Sequence, residues 1–207
     1  MITKIFCDIA DIKQIKKFYK KSIVKGFTTN PTLMRKAGAI DYKLYSKKIL
    51  KVCKKKPISF EVFGDNYTTM KDQALKINKW GKNVFVKIPI TNSKGKSTAK
   101  LIHKLNSLGI NCNITAIFTI SQVKHLIKNV NFKSKNIFSI FAGRIADTGK
   151  DPKKIILETI KLTRSIKKIE ILWASTREAY NYIIRLFKIS GNFLYLLISK
   201  FGVRIID

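Results

Sequence analysis

Lys87 is the residue with the clearest potential for covalent chemistry. It is the one cation of residues 83–89, and its neighbours Val86 and Ile88 predict a buried strand. Burial favours the neutral amine of a lysine, which is a nucleophile toward a ketone. The alternative interpretation is a structural lysine that snorkels or pairs with a carboxylate. Glu61 is a candidate counter-ion under both interpretations, because a catalytic lysine also needs charged neighbours.

Further polar side chains fall at or just beyond the ends of other short apolar runs. Taken alone, Asp8 is better explained as a cap of the helix after it, and residues 28–31 as an ordinary Asx-type turn. Asn113 and Thr115 are two positions apart, so both face one side of a strand and need polar partners there. The full set of such residues is Asp8, Thr28, Thr29, Asn30, Glu61, Lys87, Asn113, Thr115, Ser139, Arg144, Ser175 and Arg177.

The elements that must position these side chains alternate along the chain. Short β-branched or apolar runs are separated by longer helical patterns, which predicts βα units and a parallel sheet. The predicted strands cover residues 2–9, 24–28, 58–63, 84–88, 111–117, 137–142, 169–175 and, less clearly, 193–198.

Helix boundaries and helix faces have their own signals. Asp11, Asp41 and Thr119 are predicted N-caps, and Gly109 is predicted to end a helix before the fifth strand. Apolar residues recur every three or four positions between the strands. Two such faces are Ile12, Ile15, Phe18 and Tyr19, and Leu101, Ile102, Leu105 and Leu108.

Eight strands at a spacing of roughly 25 residues favour an α/β fold, a single (β/α)8 TIM barrel, over an open doubly wound sheet. No GxGxxG motif follows the first strand, which argues against a dinucleotide-binding fold. In such a barrel the active site lies at the C-terminal ends of the strands, where the polar residues fall. We therefore predict one barrel domain over residues 1–207.

Seven ordered sequence blocks resemble those of the small transaldolases, which are class I aldolases. The similarity extends from residue 2 to about residue 178, and its TTNP and VKIP segments are fairly specific even alone. The blocks are FCDIA (6–10), GFTTNPTL (26–33), SFEV (59–62), VKIP (86–89), NCNIT (111–115), SIFAGR (139–144) and ASTR (174–177).

The resemblance implies a role for each polar residue. Lys87 would form a Schiff base with a ketose phosphate, and Asp8 would move the proton of the hydroxyl beside the bond that breaks. Glu61 and Thr115 would position a proton-shuttling water. The implied substrate-binding residues are Thr28, Asn30, Asn113, Ser139, Phe141, Arg144, Ser175 and Arg177, with the two arginines on the phosphate. A protonated imine is itself an electron sink, so neither a metal nor a cofactor is expected.

Related fructose-6-phosphate aldolases release free dihydroxyacetone instead of transferring it. Those aldolases tend to carry Gln, Tyr and Lys where transaldolases carry Glu, Phe and Arg. This chain has Glu61, Phe141 and Arg177 at the three positions, so the resemblance favours transfer. A tyrosine at position 141 could help supply the proton that frees the product, and a phenylalanine cannot.

The resemblance weakens over residues 177–207. Residues 178–188 are predicted to be helical, whereas residues 192–198 would make an unusual eighth strand, and the usual terminal helices do not follow. The eighth βα unit is therefore expected to be atypical or truncated. Small relatives use this region for subunit contacts, so a homo-oligomer is compatible with the resemblance but is not specified by this segment.

Charge is the most unusual feature of the composition. The 207-residue chain has a formal net charge of +30, yet only six of its 42 basic residues are arginines and the lysines are scattered over the predicted helices. This pattern is typical of solvated helix faces. No RNA-binding aromatic motif, zinc finger or helix-turn-helix accompanies it, so no specific nucleic-acid partner is expected. The positive field would also attract phosphorylated sugars.

Other residue types limit the compartment and the kind of site. Cys7, Cys53 and Cys112 form no CxxC spacing, and the two histidines lie far from any cysteine cluster, which argues against a structural zinc site. Asp8 arrives before any apolar run long enough for a signal peptide, and residues 189–198 are too few to span a bilayer. We expect a cytoplasmic protein without a membrane partner.

Three functions remain open at this point. The first is transfer of a dihydroxyacetone unit between sugar phosphates, as in the non-oxidative pentose phosphate pathway. The second is simple cleavage of fructose 6-phosphate or a related ketose. The third is an inactive barrel that binds polyanions. The net charge and the altered C-terminal segment favour this hypothesis, whereas the complete set of catalytic residue types argues against it.

Overall fold

A computed structural model describes residues 4–176 and 194–199, and these residues hold eight parallel strands. Each strand pairs with the next one in the sequence, and the eighth pairs with the first, so the sheet closes into a barrel. The strands are β1 (Lys4–Asp8), β2 (Val24–Thr28), β3 (Ile58–Glu61), β4 (Val84–Pro89), β5 (Cys112–Ile117), β6 (Asn136–Phe141), β7 (Ile169–Ala174) and β8 (Leu194–Ser199). The predicted barrel is confirmed, with every strand end within two residues of its predicted position.

Helices connect successive strands and cover the outside of the barrel. In the described part of the chain they are α1 (Ile12–Tyr19), α2 (Pro31–Lys36), α3 (Tyr42–Val52), α4 (Tyr67–Asn78), α5 (Ala99–Ser107), α6 (Ile120–Asn129), α7 (Ala142–Ala146) and α8 (Pro152–Thr163). The predicted helix at residues 178–188 lies outside the described residues, as does everything after β8. Truncation of the eighth unit therefore stays a prediction.

The predicted caps are confirmed. Asp11 and Asp41 accept hydrogen bonds from the backbone N–H groups three residues ahead, and Thr119 forms a full capping box. Gly109 takes a φ of 75° just after α5, a left-handed conformation that glycine adopts readily. That turn explains one error: Leu108, predicted on the buried face, lies beyond the helix and is 51% exposed.

The inside of the barrel is filled by its own small apolar cluster. Phe6, Phe85, Ile137, Leu172 and Ala174 are buried together there, with Phe141 against them. Side chains on a strand alternate between its two faces, so the residue two positions after an inward-facing one also faces inward. The polar side chains of the strand ends therefore sit as a layer directly above this apolar floor.

Gly26 lies against this floor with no room for an added side chain. A methyl group built on its Cα would overlap the ring of Phe6. We expect Gly26→Ala to lower the free energy of unfolding by about 1–3 kcal/mol, the usual cost of overpacking. Urea denaturation would measure the loss, and adding Phe6→Leu should recover part of it. A Gly26→Ala protein as stable as the parent would show that the floor adapts without strain.

Candidate active site

A small cavity of about 130 Å³ opens at the carboxyl ends of the strands. Ten of the twelve residues to which the resemblance gives a catalytic or substrate-binding role line it, joined by Leu172 and Ala174 from the apolar floor. The ten are Asp8, Thr28, Asn30, Lys87, Asn113, Thr115, Ser139, Phe141, Arg144 and Ser175. Of the other two, Glu61 contacts Lys87 directly, and Arg177 lies outside the described residues.

Lys87 is held between a carboxylate and a backbone carbonyl. The residue is only 8% exposed, and its Nζ lies 3.1 Å from Oε2 of Glu61. The same amine donates to the carbonyl oxygen of Thr29 at 3.2 Å. Glu61 and Lys87 are register partners on β3 and β4, which explains why their side chains meet. The predicted pairing is confirmed, and Lys87 also lines the cavity.

Asp8 is positioned by its neighbour on β2. The Thr28 hydroxyl donates to Asp8 Oδ1 at 2.6 Å, and the two residues are register partners. Burial raises the pKa of the Asp8 carboxyl, and the charge of Lys87 and the Thr28 hydrogen bond only partly oppose that rise. The interpretation of Asp8 as a helix cap is wrong, because Asp11 caps α1.

Asn113 is the centre of a hydrogen-bonded chain that crosses the barrel. Its Nδ2 donates to the Ser59 hydroxyl at 3.0 Å, and its Oδ1 accepts from the Ser139 hydroxyl at 2.6 Å. All three residues are buried. The chain fixes the direction of the amide, so that its second N–H and remaining lone pair are the ones available to a ligand.

Asn30 has two roles in one side chain. Its Oδ1 caps α2 by accepting from the backbone N–H of Leu33 at 2.9 Å, so Asn30 is a helix N-cap and the interpretation of residues 28–31 as an Asx-type turn is wrong. The residue also lines the cavity. Because capping occupies the amide oxygen, the amide N–H₂ group is the part that a ligand could use.

Thr115 carries a buried hydroxyl that lacks a hydrogen-bond partner among the described residues. The residue is 2% exposed and lines the cavity. Buried hydroxyls normally have a protein or water partner, so this one is suited to a water or ligand in the cavity.

The remaining wall combines an aromatic ring, a guanidinium group and a strained serine. Phe141 packs edge-on against Phe118 with 5.6 Å between ring centroids, and the guanidinium carbon of Arg144 lies over the Phe141 ring, 5.1 Å from its centroid. Arg144 is exposed on α7, directly after β6. Ser175 has a φ of 60°, which non-glycine residues adopt rarely and mostly at sites constrained by their surroundings.

Sequence reasoning missed several residues that shape the site. Ser59 could have been found, since it lies two positions before Glu61 on the same strand and so faces the same side. Leu172 and Ala174 are apolar residues of a predicted strand, and that pattern indicates only a position in the core. Thr29 is one of the polar residues predicted at the strand ends, but it contributes its backbone carbonyl, which no side-chain pattern reveals.

Cysteine and metal chemistry receive no support from the described residues. The three cysteines are free and buried, and burial raises the pKa of each thiol to about 12. Across residues 4–176 and 194–199, no group of three histidine, cysteine or acidic side chains could hold a metal ion. In the same ranges no helix has the length and apolar character needed to cross a membrane.

Comparison with known proteins identifies relatives of the chain. Residues 5–188 match the family model described as Transaldolase/Fructose-6-phosphate aldolase. A protein of Dehalococcoides mccartyi named probable transaldolase is 34% identical over 176 residues, which cover 84% of this chain and 77% of that protein. Probable transaldolase 2 of Listeria monocytogenes is also 34% identical, over 84% of this chain and 76% of its own length.

A solved structure supports the fold independently of sequence. The truncated form of 3-deoxy-D-arabino-heptulosonate 7-phosphate synthase from Thermotoga maritima superposes with a TM-score of 0.54 at 11% identity. The match covers 95% of this chain and 74% of that one. At this identity the likeness concerns the barrel alone.

Proposed function

The chain belongs to the transaldolase/fructose-6-phosphate aldolase family, and on that premise we propose that it transfers a dihydroxyacetone unit between sugar phosphates. The donor would be sedoheptulose 7-phosphate or fructose 6-phosphate, and the acceptor erythrose 4-phosphate or glyceraldehyde 3-phosphate. One observation carries the proposal: the buried Lys87 amine faces a cavity that also holds Asp8, with Glu61 at 3.1 Å.

The reaction would begin with imine formation. Lys87 first passes a proton to the water held beside Glu61, and the resulting amine attacks the ketose carbonyl carbon C2. Loss of water from the carbinolamine then gives a protonated imine. The Glu61 carboxylate and the unpartnered Thr115 hydroxyl are the groups suited to hold the water that carries protons in this step.

Cleavage would then follow with Asp8 as the base. Asp8 takes the proton of the C4 hydroxyl, the C3–C4 bond breaks, and its electron pair moves into the imine to give an enamine while the aldehyde leaves. The acceptor aldehyde is attacked by the enamine carbon, and Asp8 returns its proton to the new alkoxide. Hydrolysis of the imine releases the product ketose and restores Lys87.

Substrate binding would use the polar wall of the cavity. The free N–H₂ group of Asn30, the oriented amide of Asn113 and the Ser175 hydroxyl are suited to the hydroxyls of the dihydroxyacetone unit. The exposed Arg144 guanidinium is suited to the phosphate, which it can bind with two parallel hydrogen bonds. We propose Arg177 as its partner, and sugar phosphates as the ligands of this site.

Phe141 offers a test of transfer against simple cleavage. Introducing Phe141→Tyr would add a hydroxyl to the cavity wall that can help protonate the enamine and so free dihydroxyacetone. We expect the ratio of acceptor-independent release to transfer to rise by about tenfold, less than the roughly hundredfold or more that a well-positioned acid–base group contributes, because no other residue holds the new hydroxyl in place. Free dihydroxyacetone measured with and without erythrose 4-phosphate gives this ratio. The unmodified enzyme already releasing dihydroxyacetone freely would favour the aldolase function instead.

The proposal is tested by trapping the intermediate. Incubation with fructose 6-phosphate and reduction with borohydride should leave a three-carbon adduct on Lys87, located by peptide mass spectrometry. Adding erythrose 4-phosphate before reduction should discharge the adduct if the enzyme is a transferase. No adduct on the folded protein would overturn the proposal. Salt-sensitive RNA binding in that case would favour an inactive polyanion-binding barrel.

A further inference from the structure

The backbone of Glu61 lacks the strand partners that its position in the sheet would normally provide. β2 and β3 pair at Thr28 and Ser59, where the Thr29 N–H donates to the Ser59 carbonyl. Continuing this parallel ladder would direct the Glu61 N–H to the Thr29 carbonyl, and the N–H of residue 31 to the Glu61 carbonyl. Residue 31 is a proline and has no N–H. The second of these bonds therefore cannot form.

The first bond is replaced by an interaction with the catalytic amine. The Thr29 carbonyl accepts from Lys87 Nζ at 3.2 Å. Since the Glu61 N–H donates elsewhere, this carbonyl stays directed at the lysine. Both backbone groups of Glu61 on the β2 side must find other partners, because buried polar groups that lack a hydrogen bond are costly.

One side chain supplies both partners. The Tyr42 hydroxyl accepts from the Glu61 N–H at 3.0 Å and donates to the Glu61 carbonyl at 3.2 Å. Tyr42 is the first residue of α3, which the Asp41 cap fixes in place. Its ring packs against Phe60, Phe63 and Trp80, with centroid distances of 6.4, 4.5 and 5.8 Å. The hydroxyl is therefore held rigidly at the end of β3.

We propose that Tyr42 is a positioning residue of the active site, whose hydroxyl replaces the missing strand partners of Glu61 and so keeps the Glu61 carboxylate and the Thr29 carbonyl directed at the Lys87 amine. This inference rests on the proposed Schiff-base function. Burial raises the pKa of the Tyr42 phenol, so the hydroxyl stays protonated and can donate throughout the physiological pH range.

Tyr42→Phe keeps the ring and removes both hydrogen bonds. The Glu61 N–H is then free to bond the Thr29 carbonyl in competition with Lys87. We expect the single-turnover rate of borohydride-trapped imine formation to fall by about tenfold or more, as for a small misplacement of a reacting group. The fructose 6-phosphate concentration giving half the maximal rate should change by less than about twofold, because Glu61 does not line the substrate cavity.

A matched control and a double variant separate this role from a general loss of structure. Tyr45→Phe removes a hydroxyl on the same helix that bonds the Ala10 and Ala37 carbonyls, and it should leave the rate unchanged. In a Glu61→Ala background, Tyr42→Phe should have a clearly smaller effect, because the carboxylate is gone and only the competition for the Thr29 carbonyl remains. An equal loss in both backgrounds, or a Tyr42→Phe rate equal to that of the parent, would overturn the inference.

Amide hydrogen exchange tests the same contact without catalysis. The Glu61 amide should exchange at least about tenfold faster in Tyr42→Phe than in the parent, because the Tyr42 oxygen is lost and the Thr29 carbonyl, which Lys87 also occupies, replaces it only part of the time. Unchanged exchange would overturn the inference. A parent protein that forms no imine at all would overturn the proposed function. If the parent forms the imine and Tyr42→Phe forms it at the same rate, only the role of Tyr42 would be overturned.

Discussion

Lys87→Met should lower the turnover of sugar phosphates by roughly four to six orders of magnitude, as loss of a covalent nucleophile typically does. Methionine fills similar space among the buried residues of β4 but cannot form an imine. The other lysines offer no replacement, because the amine must lie beside both Glu61 and the cavity that holds Asp8. Production of glyceraldehyde 3-phosphate in a coupled assay measures the loss, and the reduced adduct should disappear.

A second lysine–glutamate pair provides the control for this variant. Lys124 lies 3.5 Å from Glu158 on the outer surface, where α6 meets α8. Lys124→Met removes the same kind of side chain from the same kind of pair, but far from the barrel mouth, and should leave activity unchanged. Retention of more than a few per cent of activity by Lys87→Met would assign the chemistry to another group.

Asp8→Asn should separate imine formation from carbon–carbon cleavage. The variant keeps the size and the Thr28 contact of Asp8 but cannot take a proton, so cleavage should slow by about two to four orders of magnitude. In the proposed mechanism imine formation depends on Lys87 and Glu61 and not on Asp8, so it should persist. Reduction of a mixture with fructose 6-phosphate should then yield a six-carbon adduct on Lys87, where the parent yields a three-carbon one.

Asp11 is the matched control for this second variant. It lies in the same segment but only caps α1, and asparagine caps a helix about as well as aspartate. Asp11→Asn should therefore give the three-carbon adduct at the parental rate. A three-carbon adduct from Asp8→Asn would mean that another base removes the hydroxyl proton.

The pKa of Asp8 adds a stability effect with a defined sign. Burial raises this pKa in the folded state, so the folded protein binds the proton more tightly than the unfolded chain does. The favourable contribution is complete below the unfolded pKa and is lost as pH rises through the folded pKa. Asp8→Asn should thus be more stable than the parent near pH 7, with the difference shrinking on acidification. A less stable variant at pH 7 would show that Lys87 attraction outweighs burial.

The sequence predicted the strands from short apolar runs, and most of the cavity because polar residues at the C-terminal ends of barrel strands meet at one mouth. Phe141 was predicted from the resemblance alone. Asn113 and Thr115 face inward by the same rule that places Phe85 and Lys87 on one face of β4. Glu61 was interpreted both as a counter-ion of Lys87 and as a catalytic group. The two interpretations are compatible, because the same contact with Lys87 is required by each.

The parts that could not be predicted depend on contacts between distant segments. The Thr29 carbonyl acts through its backbone, and its use by Lys87 depends on where β2 stops. Tyr42 reaches Glu61 from a helix, at a separation that no strand periodicity encodes. Asn30 both caps α2 and lines the cavity, and these two roles appear only when the helix and the cavity are placed together in the fold. The role of Arg177 stays a prediction.

Closure of the barrel has a consequence for the order of events during synthesis. Asp8 on β1 lies in register with residue 199 on β8, so the first strand gains its second neighbour from nearly the last part of the chain described. Contacts of such long sequence separation form late in folding. A chain still emerging from the ribosome would carry Asp8 and Lys87 but present an open edge along β1, which is prone to pairing with other chains. We expect it to be catalytically silent and most vulnerable to aggregation until that edge is covered.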